Sequence, residues 1–200
     1  MKKKHILMFQ TFIKVMLNSK KETHAIIPDG YYPNIYEIDY HQLKESHINT
    51  LMFDIDNTIT KVDELKVPKK TKDLFKKLKS QNFKILLISN NHAYRTTPIA
   101  SALEVKLLSD AGKPDKKAYS NALNILKSKK ENTVAIGDQI ITDIVGAKKY
   151  GIKAILVDQL SKENNIQTGI AQKLQKYMIK KLTKRKLFYK GKYYNLKESR

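Results

Sequence analysis

The chain has 200 residues and no cysteine, and its 39 Lys and Arg residues against 19 Asp and Glu residues give a formal net charge of +20. The lack of cysteine excludes a disulfide framework and thiol catalysis and suits a reducing compartment, while the length allows one domain with a real core. The charge favours an anionic partner: nucleic acid, an acidic membrane surface or a phosphorylated substrate. Because only three of the basic residues are arginines, a lysine-biased genome is the alternative explanation.

The first segment, residues 1–24, is a basic and apolar N-terminal extension that opens with three lysines. Gln10 and Lys14 interrupt its apolar run, no small-residue cleavage site follows, and the run is too short to span a bilayer. The pattern predicts an amphipathic helix. It would dock either on the domain or in a membrane interface, with its lysines toward lipid phosphates.

The last segment, residues 183–200, is a basic aromatic tail that follows a predicted domain of residues 25–182. Between Lys173 and Arg200 there are eleven Lys or Arg residues and one acidic residue, Glu198, interleaved with tyrosines and a phenylalanine. This mixture suits RNA or another nucleic acid or a membrane interface. A solvated helix with a final hairpin around Gly191 is the simpler alternative.

Apolar runs of strand length alternate with helical patterns in between. The predicted strands cover residues 48–53, 84–88, 105–108, 133–136 and 153–157. The predicted helices cover residues 40–45, 68–80, 93–103, 114–127, 142–150 and 170–182. This alternation predicts an α/β fold: a doubly wound, mainly parallel five-stranded sheet with helices on both faces.

Polar residues follow the predicted strands where each of them ends. Side chains two apart on extended backbone point to the same side, so Asp54 and Asp56 would face one site; a strand end with an Asp-Asn turn is the structural alternative. The further clusters are Ser89 with Asn90, Lys113, and Asp138 with Asp143. In an open parallel sheet, ligands bind beyond these carboxyl ends. Clustered carboxylates suit Mg²⁺, and lysine and hydroxyl groups suit phosphoryl oxygens.

In this order the clusters resemble the four motifs of the haloacid dehalogenase-like (HAD) phosphatases. Within that superfamily the chain looks like the YqeG-like branch, subfamily IIIA. The Ser-Asn-Asn triplet at residues 89–91, the Gly-Asp-Gln-x-x-Thr-Asp run at residues 137–143 and the lead-in at residues 28–39 are typical of that branch. The resemblance implies a HAD-like Rossmannoid fold and phosphoric monoester hydrolysis.

The resemblance also implies roles for the acidic residues. Asp54 would be the nucleophile that forms an aspartyl-phosphate. Asp56 would protonate the leaving oxygen and then activate the hydrolytic water. The Asp54 carboxylate, the Asp56 backbone carbonyl and Asp138 would hold Mg²⁺, which offsets the repulsion between carboxylate and phosphate.

The remaining motif residues would bind phosphate or support the site. Ser89 and the Asn90 backbone would hold phosphate oxygens, and Lys113 would neutralise charge in the transition state. Asp143 would orient Lys113 or a metal-bound water, and Thr58 would support the site. As alternatives, Lys113 is an ordinary surface lysine and Asp143 only starts a helix.

The gaps between motifs hold one helix and one strand each, so we expect no cap domain and an open site. Openness favours a lipid headgroup or a macromolecular phosphate over an enclosed metabolite. Since some YqeG-like proteins act on phosphatidylglycerophosphate, we expect a cytoplasmic Mg²⁺-dependent phosphatase that contacts the inner face of an anionic membrane peripherally. The alternatives are a phosphatase of soluble nucleotide or sugar phosphates and a basic RNA- or ribosome-binding module with incidental hydrolysis.

Overall fold

A computed structural model describes Ile13, residues 25–161 and residues 166–190, with side chains in the last range from residue 173 onward. The predicted N-terminal helix, apart from Ile13, and the predicted hairpin around Gly191 lie outside these ranges. None of the helices in the described ranges has the length and apolar character needed to cross a bilayer.

The sheet has six strands in the order β1-β6-β5-β2-β3-β4, and every pairing is parallel. The strands are β1 (Gly30–Tyr32), β2 (Thr50–Phe53), β3 (Lys84–Ile88), β4 (Lys106–Leu108), β5 (Thr133–Gly137) and β6 (Lys153–Val157). The helices are α1 (Tyr40–Glu45), α2 (Lys69–Ser80), α3 (Ala93–Leu103), α4 (Lys116–Leu126), α5 (Gly146–Tyr150) and α6 (Ile166–Lys184). The doubly wound α/β fold is therefore confirmed, with one strand more than expected.

The additional strand, β1, lies at the edge of the sheet beside β6. Asp29 fixes its start, since the Asp29 carboxylate accepts from the Ala154 amide at 2.8 Å and from Lys148 Nζ at 3.0 Å. Three residues containing one glycine and two tyrosines carry no alternation of polar and apolar side chains, which is why the sequence pattern did not indicate a strand.

The two faces of the sheet bury separate cores, because successive side chains on a strand point in opposite directions. Leu51 and Phe53 of β2 pack with α2 and α3, whereas Met52 packs on the opposite face with α4 and α6. Both faces of the central strands are thus covered. This leaves the strand ends as the place where polar side chains can gather around a ligand.

Three helix starts differ from the predictions by two residues or more, and the last helix begins at Ile166 instead of residue 170. The predicted helix at residue 114 begins at Lys116, because the Asp115 side chain accepts from the Lys117 amide and caps the helix there. The predicted helix at residue 142 begins earlier, as a buried π-helical turn, Ile140–Val145, that continues into α5. A π-helical turn is wider than an α-helical one and is frequent at functional sites.

Candidate active site

Asp54 lies directly after β2, at the centre of the carboxyl edge of the sheet. Its backbone amide donates to the Ile136 carbonyl at 2.8 Å, which fixes it beside β5. Lys113 Nζ donates to Asp54 Oδ1 and to Asp143 Oδ1, both at 2.6 Å. The Lys113 side chain is only 2% exposed. One buried cation therefore joins two carboxylates that come from different strand ends.

Burial dominates the electrostatics of this cluster. It raises the pKa of Asp54 to about 7, although the adjacent Lys113 acts in the opposite direction. Burial also raises the pKa of Asp138 well above its usual range, and the negative charge of Asp54 adds to that effect. For Lys113, burial lowers the pKa, but the carboxylates of Asp143 and Asp54 outweigh it and raise the pKa overall. Lys113 is therefore a permanent cation.

Three carboxylates could hold a metal ion together: Asp54, Asp138 and Asp143 each offer an oxygen, and these oxygens lie within 4.8 Å of one another. All three are buried, and one lysine cannot balance three negative charges in a site of low dielectric. A divalent cation with a preference for oxygen ligands fits this donor set. The Asp56 carboxylate points elsewhere, and its backbone carbonyl as a metal ligand stays a prediction.

Polar neighbours orient the Asp138 carboxylate. Gln159 Nε2 donates to Asp138 Oδ2 at 2.8 Å, and Thr58 Oγ lies 3.5 Å from Asp138 Oδ1. The backbone on the C-terminal side of Asp138 is tied to α6, because Gln175 donates to the Asp138 carbonyl at 3.0 Å and accepts from the Ile140 amide at 2.9 Å. Sequence reasoning missed both glutamines. Gln159 lay two residues after a predicted strand, a usable signal, whereas nothing marked Gln175 in a basic helix.

Asp143 folds back over the end of β5. Its Oδ2 accepts from the Gln139 amide at 3.0 Å while its Oδ1 bonds Lys113. A Cβ atom at Gly137 would lie 2.4 Å from the Asp143 carboxyl group, so this position requires glycine. The structure thus places Asp143 within the charged cluster as well as at the start of the π-helical turn.

Ser89 and Asn90 follow β3 on the other side of Asp54. The Ser89 side chain is buried and its Oγ accepts from the Asn91 amide at 3.0 Å. The Asn90 side chain accepts from the Lys113 amide at 2.7 Å and donates to the Lys113 carbonyl at 2.9 Å. This two-bond clamp holds the backbone of Lys113, and therefore positions its ammonium group beside Asp54.

The Asp56 side chain faces the mouth of the site. Asn91 Nδ2 donates to its Oδ2 at 2.7 Å, while Arg95 donates to its Oδ1 from Nε at 2.9 Å and from Nη2 at 2.5 Å. Arg95 belongs to the first turn of α3. Sequence reasoning assigned no role to Arg95, although one of three arginines in a lysine-rich chain, six residues after Ser89, was a signal that could have been used.

Two family models match successive parts of the chain. The model described as haloacid dehalogenase-like hydrolase matches residues 51–112, and the model described as HAD-hydrolase-like matches residues 110–182. "Probable phosphatase YqeG" of Bacillus subtilis (strain 168) is 29% identical over 159 residues, which cover 80% of this chain and 92% of that protein.

Solved structures of HAD hydrolases are also similar to the chain. The HAD-hydrolase YfnB of Bacillus subtilis, bound to magnesium, is 14% identical with a TM-score of 0.48 and covers 60% of this chain and 91% of that one. CbbY of Rhodobacter sphaeroides, in complex with phosphate, is 13% identical with a TM-score of 0.47, and the match covers 59% of this chain and 90% of that one.

The sequence matches cover most of the chain. Both family models are of HAD-like hydrolases, and together they span β2 to α6, the part of the chain that carries all four predicted motifs. The similarity to YqeG extends over most of both proteins. These matches support a YqeG-like phosphatase of the haloacid dehalogenase-like hydrolases.

Proposed function

We propose that the protein is a Mg²⁺-dependent phosphomonoester phosphatase in which Asp54 forms an aspartyl-phosphate. The observation that carries the proposal is the position of the Asp54 carboxylate, 2.6 Å from Lys113 and within 4.8 Å of carboxylate oxygens of Asp138 and Asp143. A carboxylate held between a fixed cation and a group of metal-binding oxygens suits attack on a phosphoryl group, whose own negative charge would otherwise repel it.

In the first step an Asp54 oxygen attacks phosphorus, the bond to the leaving alcohol oxygen breaks, and Asp56 gives that oxygen a proton. In the second step Asp56 takes a proton from water, which attacks the aspartyl-phosphate and releases inorganic phosphate. Lys113 holds its charge beside the transferring oxygens throughout both steps. Asp54, Asp138 and the Asp56 carbonyl would hold Mg²⁺, which would supply the positive charge needed to keep Asp54 ionised despite its burial.

The residues after β3 serve as the phosphate-binding group. Ser89 and the Asn90 backbone bind phosphoryl oxygens, and the Asn90 side chain keeps Lys113 in place through its two bonds to the Lys113 backbone. Asp143 orients Lys113, and Thr58 supports Asp138. The roles of the Asn90 side chain, Asp143 and Thr58 make use of contacts described above, and the role of Ser89 makes use of its buried hydroxyl.

For the substrate we propose a phosphate monoester at an anionic membrane surface, with phosphatidylglycerophosphate as the first lipid to test. The described segments between Asp56 and Lys113 contain only α2, β3, α3 and β4, which leaves no cap to enclose a small substrate. The exposed side of α6 is basic, and residues 173–190 contain eight Lys or Arg residues and no acidic residue. Such a surface is attracted to anionic headgroups.

The same basic surface supports a second candidate function, the binding of RNA. Four lysines recur along the outer side of α6 beside Tyr177, which is 54% exposed. These lysines are Lys173, Lys176, Lys180 and Lys184. RNA binding by this surface would survive Asp54→Asn and would weaken steeply with salt. It would be lost when residues 183–200 are deleted and the remaining lysines of the four are substituted.

The test is a panel of substrates with and without Mg²⁺, run on the wild-type protein and on Asp54→Asn. The panel contains phosphatidylglycerophosphate in anionic vesicles, soluble nucleotide phosphates and sugar phosphates. We expect release of phosphate from the lipid, dependence on Mg²⁺, and a loss of at least about 1,000-fold in Asp54→Asn with an unchanged circular dichroism spectrum.

Three outcomes would contradict parts of the proposal. Turnover of soluble phosphates with the lipid untouched removes the lipid assignment. Wild-type activity in Asp54→Asn removes Asp54 as the nucleophile. Full activity in the presence of a metal chelator removes the Mg²⁺ requirement.

A further inference from the structure

We propose that Arg95 is a specificity-determining residue that binds a second anionic group of the substrate, carried by the leaving alcohol, and that it exchanges its present contact with Asp56 for that group. The inference rests on the proposed function, since it assumes that a phosphate monoester occupies the site at Asp54. It names a substrate class: phosphate monoesters whose alcohol carries a phosphodiester, a phosphate or a carboxylate.

Arg95 lies beside one of the proposed reacting groups, the Asp56 carboxylate. Asp56 is the group that would contact the leaving oxygen, and Arg95 donates directly to its carboxylate. A group bonded to Asp56 from the outer side therefore lies beside the leaving alcohol rather than beside the transferring phosphoryl group. The Arg95 side chain is 12% exposed, against 2% for Lys113, as expected for a residue at the mouth of the site.

The Arg95 guanidinium group uses only part of its hydrogen-bonding capacity in its present contacts. Nε and Nη2 both donate to a single oxygen, Asp56 Oδ1, and Nη2 also donates to the Lys61 carbonyl at 3.1 Å. The favoured arginine–carboxylate geometry instead places two parallel bonds on two different oxygens. Within the described ranges Nη1 has no acceptor, so the fork keeps donor capacity that a ligand with two anionic oxygens can use.

Asp56 does not depend on Arg95 alone. Asn91 Nδ2 holds the other oxygen, Asp56 Oδ2, at 2.7 Å. When Arg95 turns toward a substrate anion, Asp56 therefore keeps one side-chain partner and stays oriented. The exchange moves the Arg95 charge from Asp56 to the substrate anion, while the Asn91 amide remains as the hydrogen-bond donor to Asp56.

The other basic side chains beside the site already have partners. Lys61 is paired with Glu64 at 3.2 Å and is half exposed, and His92 lies 2.7 Å from Asp110 and points into solvent. Lys113 is already bonded to two carboxylates inside the cluster. Of the cations at the described strand ends around Asp54, Arg95 is thus the one placed to meet an anion on the leaving group. In the absence of a cap, it is a rim residue of this kind that must distinguish substrates.

The chemistry could come from a lipid headgroup or from a soluble phosphate, so the test uses three related substrates. Glycerol 3-phosphate has an uncharged leaving alcohol. Glycerophosphoglycerol phosphate, the deacylated headgroup of phosphatidylglycerophosphate, has a phosphodiester on the same kind of alcohol. Phosphatidylglycerophosphate in vesicles adds the membrane.

The measured quantity is the ratio of kcat/KM for glycerophosphoglycerol phosphate to that for glycerol 3-phosphate. We expect Arg95→Ala to lower this ratio about 10- to 100-fold, the range for losing a charge-assisted hydrogen-bonded pair. Arg95→Lys should restore part of the ratio, because it returns the charge without the fork. Lys72→Ala, which removes an exposed positive charge on α2 to which no role is assigned, is the control and should leave the ratio unchanged.

If Arg95 only positions Asp56, Arg95→Ala lowers kcat/KM for both soluble substrates by the same factor, and the proposal is overturned. The proposal is also overturned if Arg95→Ala lowers kcat/KM for the vesicle-bound lipid relative to glycerol 3-phosphate but leaves the ratio for its soluble headgroup unchanged. The effect would then arise from membrane contact. A reduced ratio for the soluble pair supports the proposal for either source of the ligand.

A binding measurement separates this inference from the proposed function. In an Asp54→Asn background, calorimetry compares the affinity for glycerophosphoglycerol phosphate with and without Arg95→Ala. A lower affinity for glycerophosphoglycerol phosphate in the double variant supports the role of Arg95. This holds even if the wild-type protein hydrolyses neither soluble substrate, a result that would refute only the proposed function. Equal affinities of Asp54→Asn with and without Arg95→Ala overturn the inference, whatever the wild-type protein hydrolyses.

Discussion

The site contains two cation–carboxylate groups that differ in how firmly they are held. In the inner group, Lys113 is 2% exposed, bonds two carboxylates and has its backbone clamped by Asn90. In the outer group, Arg95 is 12% exposed and bonds one oxygen of Asp56 from the first turn of a helix. A charge fixed from several directions can stabilise a transition state without reorganising. A charge fixed from one direction can change its partner, which is what recognition requires.

The largest expected effect separates the inner group from the outer one. Lys113→Met should lower kcat/KM at least about 1,000-fold for every phosphate monoester tested, because a positive charge facing the transferring oxygens is lost whatever the leaving alcohol. The measurement is kcat/KM for substrates with charged and uncharged alcohols, at saturating Mg²⁺ and with the fold checked by circular dichroism. A loss confined to substrates with a charged alcohol would show that Lys113, like Arg95, acts in recognition. The inner and outer groups would then not differ in function.

The second prediction concerns the pH dependence of stability, because the buried carboxylates of the inner group should make the metal-free protein less stable as pH rises. Burial raises the pKa of Asp54 to about 7, so the folded state binds a proton more tightly than the unfolded state. The resulting stabilisation is complete below about pH 4, near the pKa of an ordinary Asp, and is lost as pH rises to about 7. The free energy of unfolding should fall by a few kcal/mol over that range.

The measurement is denaturant unfolding of the wild-type protein and Asp54→Asn in a metal chelator between pH 4 and 8. The difference between the two stability curves isolates Asp54 from the other titrating groups. We expect Asp54→Asn to be the more stable protein at pH 7.5, and Mg²⁺ to stabilise the wild type more than the variant. Parallel curves would mean that Asp54 titrates normally and that Lys113 balances the inner group without a metal.

The smallest expected effect concerns the link between α6 and the loop that carries Asp138, a proposed metal ligand. Gln175→Ala removes the side chain that bonds the Asp138 carbonyl and the Ile140 amide. Since these are backbone groups behind the metal-binding oxygens, we expect a loss of about three- to tenfold in apparent Mg²⁺ affinity and about 1 kcal/mol in stability. Titrating activity with Mg²⁺ measures the first, and saturating Mg²⁺ should restore kcat. A lowered kcat at saturating Mg²⁺ would place Gln175 in the positioning of reacting groups instead.

Much of the fold was predictable because its signals are local. Buried parallel strands are short apolar runs, and the predicted runs at residues 84–88 and 153–157 have the bounds of β3 and β6. The edge strand β1 was missed, since its pairing with β6 depends on Asp29 reaching Ala154 across 125 positions of sequence. The helix at Lys116 begins two residues later than predicted, and that start was visible only as the capping bond of Asp115.

The candidate site divides in the same way. Residues that directly follow strands, such as Asp54 and Ser89, could be chosen because the topology brings strand ends together. Arg95 and Gln175 lie within helices, and their contacts depend on side-chain reach and helix rotation, which no periodicity specifies. The Asn90 clamp on Lys113 was also not predictable, because an asparagine after a strand is more often part of a turn.

Gly137 has a consequence for relatives of this protein. Because the Asp143 carboxyl group occupies the space where a Cβ would lie, one added methyl group would displace Asp143 and release Lys113 from one of its two partners. The strand itself would be unaffected, since alanine fits a parallel sheet. A homologue with alanine at this position is therefore expected to keep the architecture, while its lysine is held by one carboxylate instead of two.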